Sequence, residues 1–158
     1  YLPDTTNLPF ESGSFDFISC NSVLEYVPDP IRPAVQHELL RVLKPGGIIA
    51  VLGTSSRLWP REVHSRKWLV NYLLRIVDPW IGKRLQRGVW PKSVKAAFPG
   101  TDDLQREDGG ARYLRAKLRM GLSPRTITLI RGVATLLRPL GYSPGMLMPS
   151  MALILRKR

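Results

Sequence analysis

The sequence predicts an α/β fold, namely part of a doubly wound parallel sheet interrupted by a helical, basic insertion. Two continuous apolar runs, Phe15 to Cys20 and Ile48 to Leu52, have the length and residue types of buried strands. The residues between the runs show helical spacing, and the chain beyond residue 56 is strongly basic. Strand, helix and strand joined by short loops indicate a parallel crossover unit, which is right-handed in nearly all proteins.

The first predicted strand, FDFISC over residues 15–20, follows a turn-forming stretch, Glu11-Ser12-Gly13-Ser14. Because nearly consecutive positions are apolar, we expect this strand to be buried on both faces, as in a parallel sheet covered by helices.

A helix is predicted between the two strands, after the chain-breaking Pro28-Asp29-Pro30, where apolar residues recur at helical spacing from Ile31 to Leu43. We expect it to open at Asp29 or Pro30 and to close at Gly46-Gly47. Arg41 and Lys44 would then lie in its last turn, where cations complement the helix dipole.

Ligands of parallel α/β sheets bind beyond the carboxyl ends of the strands. The stretches to watch are therefore Cys20-Asn21-Ser22 after the first strand and Thr54-Ser55-Ser56 after the second. Both carry small polar side chains that can hydrogen-bond a ligand, although ordinary loop residues would look the same.

Four blocks of the sequence carry a recognisable pattern, namely Asp4 to Phe10, Ser14 to Ile18, Val23 to Val27 and Arg41 to Gly47. In this order and spacing they resemble the second half of class I S-adenosylmethionine-dependent methyltransferases of the small-molecule type. They correspond to the family pattern D-A-x-x-L-P-F, F-D-x-V, L-x-H-V and R-V-L-K-P-G-G. The resemblance covers residues 4–54 and implies a Rossmann-like fold, methyl transfer, and S-adenosylmethionine as the cofactor.

The resemblance also implies a cofactor site. Asp4 and Thr5 would contact the adenine, since a carboxylate accepts from the exocyclic amine and a backbone N–H donates to a ring nitrogen. Asn21 would contact the methionine end, with Cys20 and Ser22 as neighbours. The competing interpretation makes Asp4 a turn or capping residue and Asn21 a loop residue.

The resemblance also bears on the last block, on parts of the family pattern that this chain lacks, and on Tyr26. The Arg41 to Gly47 block is expected to be structural, because glycine supplies the positive φ of its turn. The family's glycine-rich loop and the acidic residue that binds the ribose are not found in this chain, which begins in mid-motif, so we expect a fragment of a longer enzyme. Tyr26 stands where the family often has histidine, and we interpret it as a substrate-side residue.

Residues 57–122 are predicted to interrupt the core as a helical, basic insertion that forms a lid. An amphipathic helix is expected over Ser65 to Val77, and shorter basic helices over Ile81 to Trp90 and Tyr113 to Met120. Loops are expected over Phe98 to Asp103 and Glu107 to Gly110.

The lid would begin near residues 58–65, which makes Trp59 and His64 the candidate acceptor-side residues. His64 is the candidate catalytic residue, because imidazole titrates near neutrality and can take a proton from an acceptor hydroxyl. A lone histidine near a helix start can equally be a surface or capping residue.

The basic amphipathic helix has three interpretations: lid packing, contact with a membrane surface that carries a lipid-linked acceptor, or a nucleic-acid face. Trp59, Trp68, Trp80 and Trp90 all lie in the insertion, which favours an apolar boundary. Spread-out charges without an aromatic stacking motif disfavour nucleic acid.

The last segment, residues 123–158, is predicted to close the core. Ser123 and Pro124 would start a helix that buries Ile127, Ile130 and Ala134 and ends near Arg138-Pro139. A strand over Met146 to Leu155 would follow. The domain division is thus 1–56 (cofactor-binding core), 57–122 (insertion) and 123–158 (closing helix and strands).

Charge is distributed unevenly along the 158 residues, whose formal net charge is +12. Residues 1–56 carry six acidic and three basic side chains, a net charge of −3, so residues 57–158 carry +15. The single cysteine excludes a disulfide within these residues, no Cys/His cluster has zinc spacing, and no apolar stretch is long enough to span a bilayer. These features favour a cytoplasmic location, to which the basic insertion adds the hypothesis of peripheral contact with the inner face of the membrane.

The sequence therefore predicts a methyltransferase whose acceptor is a small molecule or a lipid- or sugar-linked precursor. Methyl transfer from a sulfonium needs positioning and desolvation more than acid–base groups, which agrees with the lack of a conspicuous catalytic pair. The alternative is a non-catalytic module that keeps the fold and binds a partner through its basic face.

Overall fold

The computed structural model describes residues 4–64, 66–73, 76, 80 and 87–158. The strands are β1 (Phe15–Asn21), β2 (Leu43–Ser55), β3 (Thr101–Asp103) and β4 (Ser150–Lys157). The helices are α1 (Arg32–Val42), α2 (Pro91–Ala96), α3 (Ala111–Arg119) and α4 (Pro124–Leu137). The strands form one sheet in the order β1-β2-β4-β3. The predicted α/β class is confirmed.

Strands β1 and β2 are parallel and are connected through α1, as the sequence predicts. The expected burial of β1 on both faces is wrong for the described structure. β1 lies at the edge of this sheet, where Phe17 is 59% exposed and only Cys20 is buried. An apolar run predicts a strand correctly, but the neighbours of that strand decide how much of it is covered.

Helix α1 ends earlier than predicted. Its last residue is Val42, and Leu43 already has extended backbone angles (φ −78°, ψ 134°). Gly46-Gly47 do not close the helix; they lie in β2, where the register against β1 shifts. Gly46 has φ +77°, so this glycine accommodates a bulge in the strand. Lys44 likewise lies in β2, where its Nζ pairs with Asp16 (2.9 Å).

Strand β4 is antiparallel to both of its neighbours, β2 and β3. It starts later than predicted, because Pro144–Leu147 form a short 3-10 turn before it. The loop predicted over residues 98–103 is wrong at Thr101–Asp103, which pair with β4 through Thr101 and Lys157. A part of the predicted insertion 57–122 thus belongs to the sheet.

The helix predicted after Ser123 is confirmed as α4. Ser123 caps it by accepting a hydrogen bond at Oγ from the backbone N–H of Thr126 (3.2 Å). Ile127, Ile130 and Ala134 face inward as expected. Helix α3 also confirms the prediction of a short basic helix, with shifted ends.

The amphipathic helix predicted over Ser65 to Val77 is not found in the described residues. Val70–Tyr72 form a single 3-10 turn, and Leu69 before it has a left-handed backbone (φ +61°). Residues 65, 74–75 and 77–79 lie outside the described residues, as do residues 81–86 of the next predicted helix. No helix among the residues that the structure describes is long and apolar enough to cross a bilayer.

The main core packs around the two central strands. Its buried members are Cys20, Leu24, Leu43, Ile49, Val51, Val89, Val94, Phe98, Met146, Met151, Leu153 and Leu155. A smaller cluster joins α3, α4 and the chain before β4 through Leu114, Ile127, Ile130 and Met148. This packing covers the central strands and fixes the positions of the residues at their ends.

The Arg41 side chain fastens the segment before β1 to α1. Its guanidinium pairs with Glu38 (2.6 Å) and donates to the backbone oxygens of Leu8 (3.2 Å) and Phe10 (2.8 Å). Glu38 also accepts from the Leu8 backbone N–H (2.8 Å). The hydrogen bonds from Arg41 hold the pKa of Glu38 down to about 2. Arg41 therefore has a structural role, as expected.

Candidate functional site

The loops that follow the parallel strands β1 and β2 pack closely at the carboxyl edge of the sheet. The Ser22 backbone N–H donates to the carbonyl of Leu52 (2.8 Å), and Ser22 has a left-handed backbone (φ +51°). Gly53 has φ +72°, and a β-carbon there would lie 2.6 Å from Oδ1 of Asn21 and 2.5 Å from Oγ of Ser22. The side chains of Asn21 and Ser22 thus occupy the space that a side chain at Gly53 would need.

Asn21 and Ser22 are exposed, whereas the neighbouring Cys20 is not. Cys20 is 5% exposed and belongs to the main core. Burial, aided by the negative charge of Glu25, raises the pKa of its thiol to about 11. The Cys20 side chain is therefore a neutral packing group, and the polar groups at this strand end are Asn21 and Ser22.

The hydroxyl groups after β2 are buried. Thr54 and Ser55 are at most 1% exposed, and their hydroxyl oxygens have no hydrogen-bond partner among the described residues. The Ser56 hydroxyl accepts from the Leu58 backbone N–H (3.3 Å). These three residues are therefore buried at the end of β2, and Gly53 is the residue that contacts the loop after β1.

Asp4 and Thr5 lie in an exposed turn. Asp4 Oδ1 accepts hydrogen bonds from the Thr6 backbone N–H (2.7 Å) and from its hydroxyl (2.6 Å). These bonds lower the pKa of Asp4. Among the described residues, no hydrogen bond links Asp4 or Thr5 to Cys20, Asn21 or Ser22, the other part of the predicted cofactor site.

Two of the predicted acceptor-side residues lie together. The rings of Tyr26 and His64 meet edge to face, with centroids 5.9 Å apart. Both side chains are exposed. The His64 backbone N–H donates to Oε1 of Glu62 (2.8 Å), whose side chain is almost fully buried. The third predicted residue, Trp59, is half-buried, and its carbonyl accepts from Nδ2 of Asn71 (2.9 Å).

Arg32 organises the loop that carries Tyr26, a role that the sequence analysis missed. Its Nε donates to the carbonyl of Leu24 (2.8 Å), its Nη2 to that of Val27 (2.8 Å), and it pairs with Asp29 (2.6 Å). A cation in the first turn of a helix opposes the helix dipole. An arginine in this unfavourable position of the sequence could have indicated that its side chain binds the preceding loop.

The structure also buries two carboxyl groups near these loops that the sequence analysis did not single out. Glu25 is 7% exposed and lies close enough to Cys20 to affect its pKa, and Glu62 is 1% exposed. Their burial depends on the loops that surround them, and sequence spacing alone does not show it.

A cavity of about 270 Å³ opens beside these loops. It is lined by Asp29, Arg32, Pro33, Gln36, Arg57, Gly88, Val89, Trp90 and Ser93. The Arg57 guanidinium lies 5.5 Å from the centroid of the Trp90 ring. The cavity combines an aromatic wall with two arginines near the carboxyl edge, and the predicted residues Tyr26, Trp59 and His64 do not line it.

Sequence comparisons relate this chain to known methyltransferases. Residues 2–51 match the family described as "Methyltransferase domain". A protein named demethylmenaquinone methyltransferase from Staphylococcus saprophyticus is 33% identical over 116 residues, which cover 73% of this chain and 49% of the relative. Its namesake from Staphylococcus haemolyticus is 31% identical over the same share of the chain and 48% of the relative. Among solved structures, a SAM-dependent methyltransferase from Archaeoglobus fulgidus covers 94% of this chain and 62% of its own length, with a TM-score of 0.45 and 13% identity.

Residues 2–51 belong to a methyltransferase domain, in agreement with the resemblance to class I S-adenosylmethionine-dependent methyltransferases and with S-adenosylmethionine as the cofactor. The chain spans about half the length of the curated relatives that it matches.

Proposed function

We propose that this chain forms the part of a methyltransferase that holds the methionine end of S-adenosylmethionine and faces a small-molecule acceptor. The observation that carries the proposal is the close packing of Asn21 and Ser22 over Gly53 at the carboxyl edge of two parallel strands. Exposed amide and hydroxyl groups at this edge fit the polar amino-acid end of the cofactor.

When bound, S-adenosylmethionine would supply a methyl group on a sulfonium for direct displacement by the acceptor, with the thioether as the leaving group. The residues of this chain would hold and orient the cofactor. Asn21 can donate through its amide to a carboxylate or accept from an ammonium group, and Asp4 can accept from an exocyclic amine. Arg32 keeps the loop between β1 and α1 in one conformation by binding its carbonyl groups. Such positioning is the main source of acceleration expected for this kind of transfer.

On the acceptor side, the Tyr26–His64 pair supports a role in proton handling. When the methyl group joins an acceptor oxygen, the hydroxyl proton must leave, and the His64 imidazole can take it. The Glu62 carboxylate fixes the backbone at His64 (2.8 Å), which limits the positions open to the ring. The similar proteins named demethylmenaquinone methyltransferase support an apolar small molecule as acceptor.

Calorimetry with S-adenosylmethionine and the full-length protein tests the cofactor site. We expect Asn21→Ala and Asp4→Ala each to weaken binding by about 10-fold or more, as for the loss of a hydrogen bond to a charged group. Asp16→Ala is the matched control, because Asp16 is equally exposed but lies near the start of β1, at the opposite edge of the sheet.

Two results would contradict the site assignment. If Asp4→Ala and Asn21→Ala bind the cofactor as well as Asp16→Ala does, these residues are not ligands. If the unmodified full-length protein does not bind the cofactor at all, the chain belongs to a non-catalytic module with the methyltransferase fold.

We also propose that the acceptor is reached at an anionic membrane surface. Along residues 68–80 most of the described apolar side chains are exposed, whereas Val70 is buried. The exposed ones are Trp68, Leu69, Tyr72, Leu73, Ile76 and Trp80. Exposed apolar groups next to basic Arg66 and Lys67 fit the interface of an anionic bilayer. This exposed apolar segment is fastened next to the acceptor side, because Tyr72 donates to the carbonyl of Leu58 (2.7 Å).

Co-sedimentation with phosphatidylglycerol vesicles tests this proposal. Reversing two charges with Arg66→Glu/Lys67→Glu should weaken partitioning by about 10-fold or more, since each basic residue near such a surface contributes about 1 kcal/mol. The control is Arg115→Glu/Arg119→Glu, which changes the net charge equally on the exposed face of α3. Equal loss of binding in both variants would show a non-specific charge effect and would refute the proposal that this segment binds the membrane.

A further inference from the structure

A second, larger cavity lies at the other end of the sheet and has no part in the proposed methyl transfer. Its volume is about 480 Å³, within the range of small-molecule sites. Thr101 of β3 pairs with Lys157, and Arg156 pairs with Ile48 near the start of the parallel part of β2. The cavity therefore opens at the amino edge of the parallel strands, whereas Asn21 and Gly53 lie at the carboxyl edge.

Cations outnumber anions in the lining of this cavity. The basic residues are Lys92, Lys95, Arg106 and Arg158, against Asp102 and Asp103. Asp102 is already paired, since its Oδ1 accepts from Nε (3.0 Å) and Nη2 (2.8 Å) of Arg158. Asp103 is buried, and this burial raises its pKa. The lining therefore has surplus positive charge.

The cations also keep N–H donors for which the described residues provide no acceptor. Lys95 Nζ donates to the carbonyl and to Oγ1 of Thr101 (2.9 Å each), which leaves the third of its three N–H groups. Arg106 donates from Nη2 to the carbonyl of Arg138 (3.3 Å), one of five N–H groups of a guanidinium. Lys92 lies with its Nζ 5.3 Å from the centroid of the Tyr142 ring and is exposed.

Between these charges the lining is apolar. Ala96 and Pro99 are exposed residues of this lining, and Phe98 and Met146, which are buried members of the main core, also border the cavity. An aqueous inorganic ion would leave such an apolar surface without a partner. A ligand with both an apolar body and a negative group would match both parts of the lining.

We propose that this cavity binds a small organic anion, with its carboxylate or phosphate group on Lys92, Lys95 and Arg106 and its apolar body on Ala96 and Pro99. Charge-assisted hydrogen bonds hold the anionic end. Burial of the apolar body supplies the selectivity against free phosphate.

The test is a titration of the full-length protein with phenyl phosphate, followed by amide chemical shifts in ¹⁵N-labelled protein. We expect saturable shifts at residues 92–103 and none at Asn21 or Gly53. Lys92→Gln/Arg106→Gln should weaken binding by at least about 10-fold through the loss of charge-assisted contacts. Both side chains are exposed, so the substitutions should leave the fold intact, and a melting curve checks this.

Arg115→Gln/Arg119→Gln is the matched control, with the same change in net charge on α3 outside the cavity. Equal weakening by this control, or no saturable shift with phenyl phosphate, would overturn the proposal. Parallel titrations with benzoate and inorganic phosphate separate the ligand classes. Binding of benzoate supports an organic anion, and binding of inorganic phosphate as tight as that of phenyl phosphate would refute the role of the apolar lining.

Discussion

Gly145→Ala is expected to prevent stable folding of this chain. A β-carbon at Gly145 would overlap the backbone carbonyl oxygen of Ala152 in β4 and lie 2.6 Å from Nε2 of Gln105. Because the carbonyl belongs to a central strand, it cannot move aside without disrupting the sheet. We expect a loss of at least about 3 kcal/mol in the free energy of unfolding, as for severe overpacking combined with unpaired polar groups.

The Gln105 side chain explains why the clash cannot be relieved locally. Its Nε2 donates to the carbonyl of Ala152 (2.8 Å), and its Oε1 accepts from the backbone N–H of Gly145 (2.9 Å). Gln105 is 4% exposed, so the amide joins two buried backbone groups that no solvent can satisfy. If Gly145 moves away from β4, its hydrogen bond to Gln105 breaks, unless Gln105 moves with it and gives up its hydrogen bond to Ala152.

Urea unfolding monitored by circular dichroism checks this prediction, with Gly132→Ala as the control. Gly132 lies inside α4, and a β-carbon there would meet no atom within 4 Å. The same substitution should therefore stabilise the protein by about 0.5–1 kcal/mol through helix propensity. An unchanged unfolding midpoint for Gly145→Ala would show that this close approach is not present.

Gly53→Ala is expected to impair the cofactor site while the fold persists. Alanine in the left-handed conformation (φ +72°) loses about 1–2 kcal/mol of stability. The new β-carbon would also push away the side-chain ends of Asn21 and Ser22, which are exposed and can rotate. If Asn21 and Ser22 bind the cofactor as proposed, displacing both should weaken S-adenosylmethionine binding to the full-length protein by more than about 10-fold.

Gly46→Ala isolates the effect of the clash. Gly46 also lies in β2 with φ +77°, but a β-carbon there would meet no atom within 4 Å. The two variants should therefore lose similar stability, and only Gly53→Ala should lose cofactor affinity in calorimetry. Equal affinities for both variants would mean that Asn21 and Ser22 do not contact the cofactor.

Local patterns in the sequence predicted the elements whose signals lie within a few residues. The apolar runs of β1 and β2, the helical spacing of α1 and the Ser123 cap of α4 are all found in the structure. The position of Asn21 and Ser22 at a strand end followed from the same patterns, because the end of an apolar run is itself a local signal. The four blocks that match the family pattern indicated a methyltransferase, which the comparisons confirm.

The sequence by itself therefore determined the fold class, the family and the edge of the sheet where a ligand is expected. Only the tertiary structure decided that Thr101–Asp103 form a strand, that Phe17 is exposed while Cys20 is buried, and that Tyr26 meets His64. Each of these outcomes depends on residues far apart in the chain, such as Thr101 and Lys157. Strand pairing and burial are set by the neighbours that such contacts bring together, and the local spacing of residues in the sequence does not predict these neighbours.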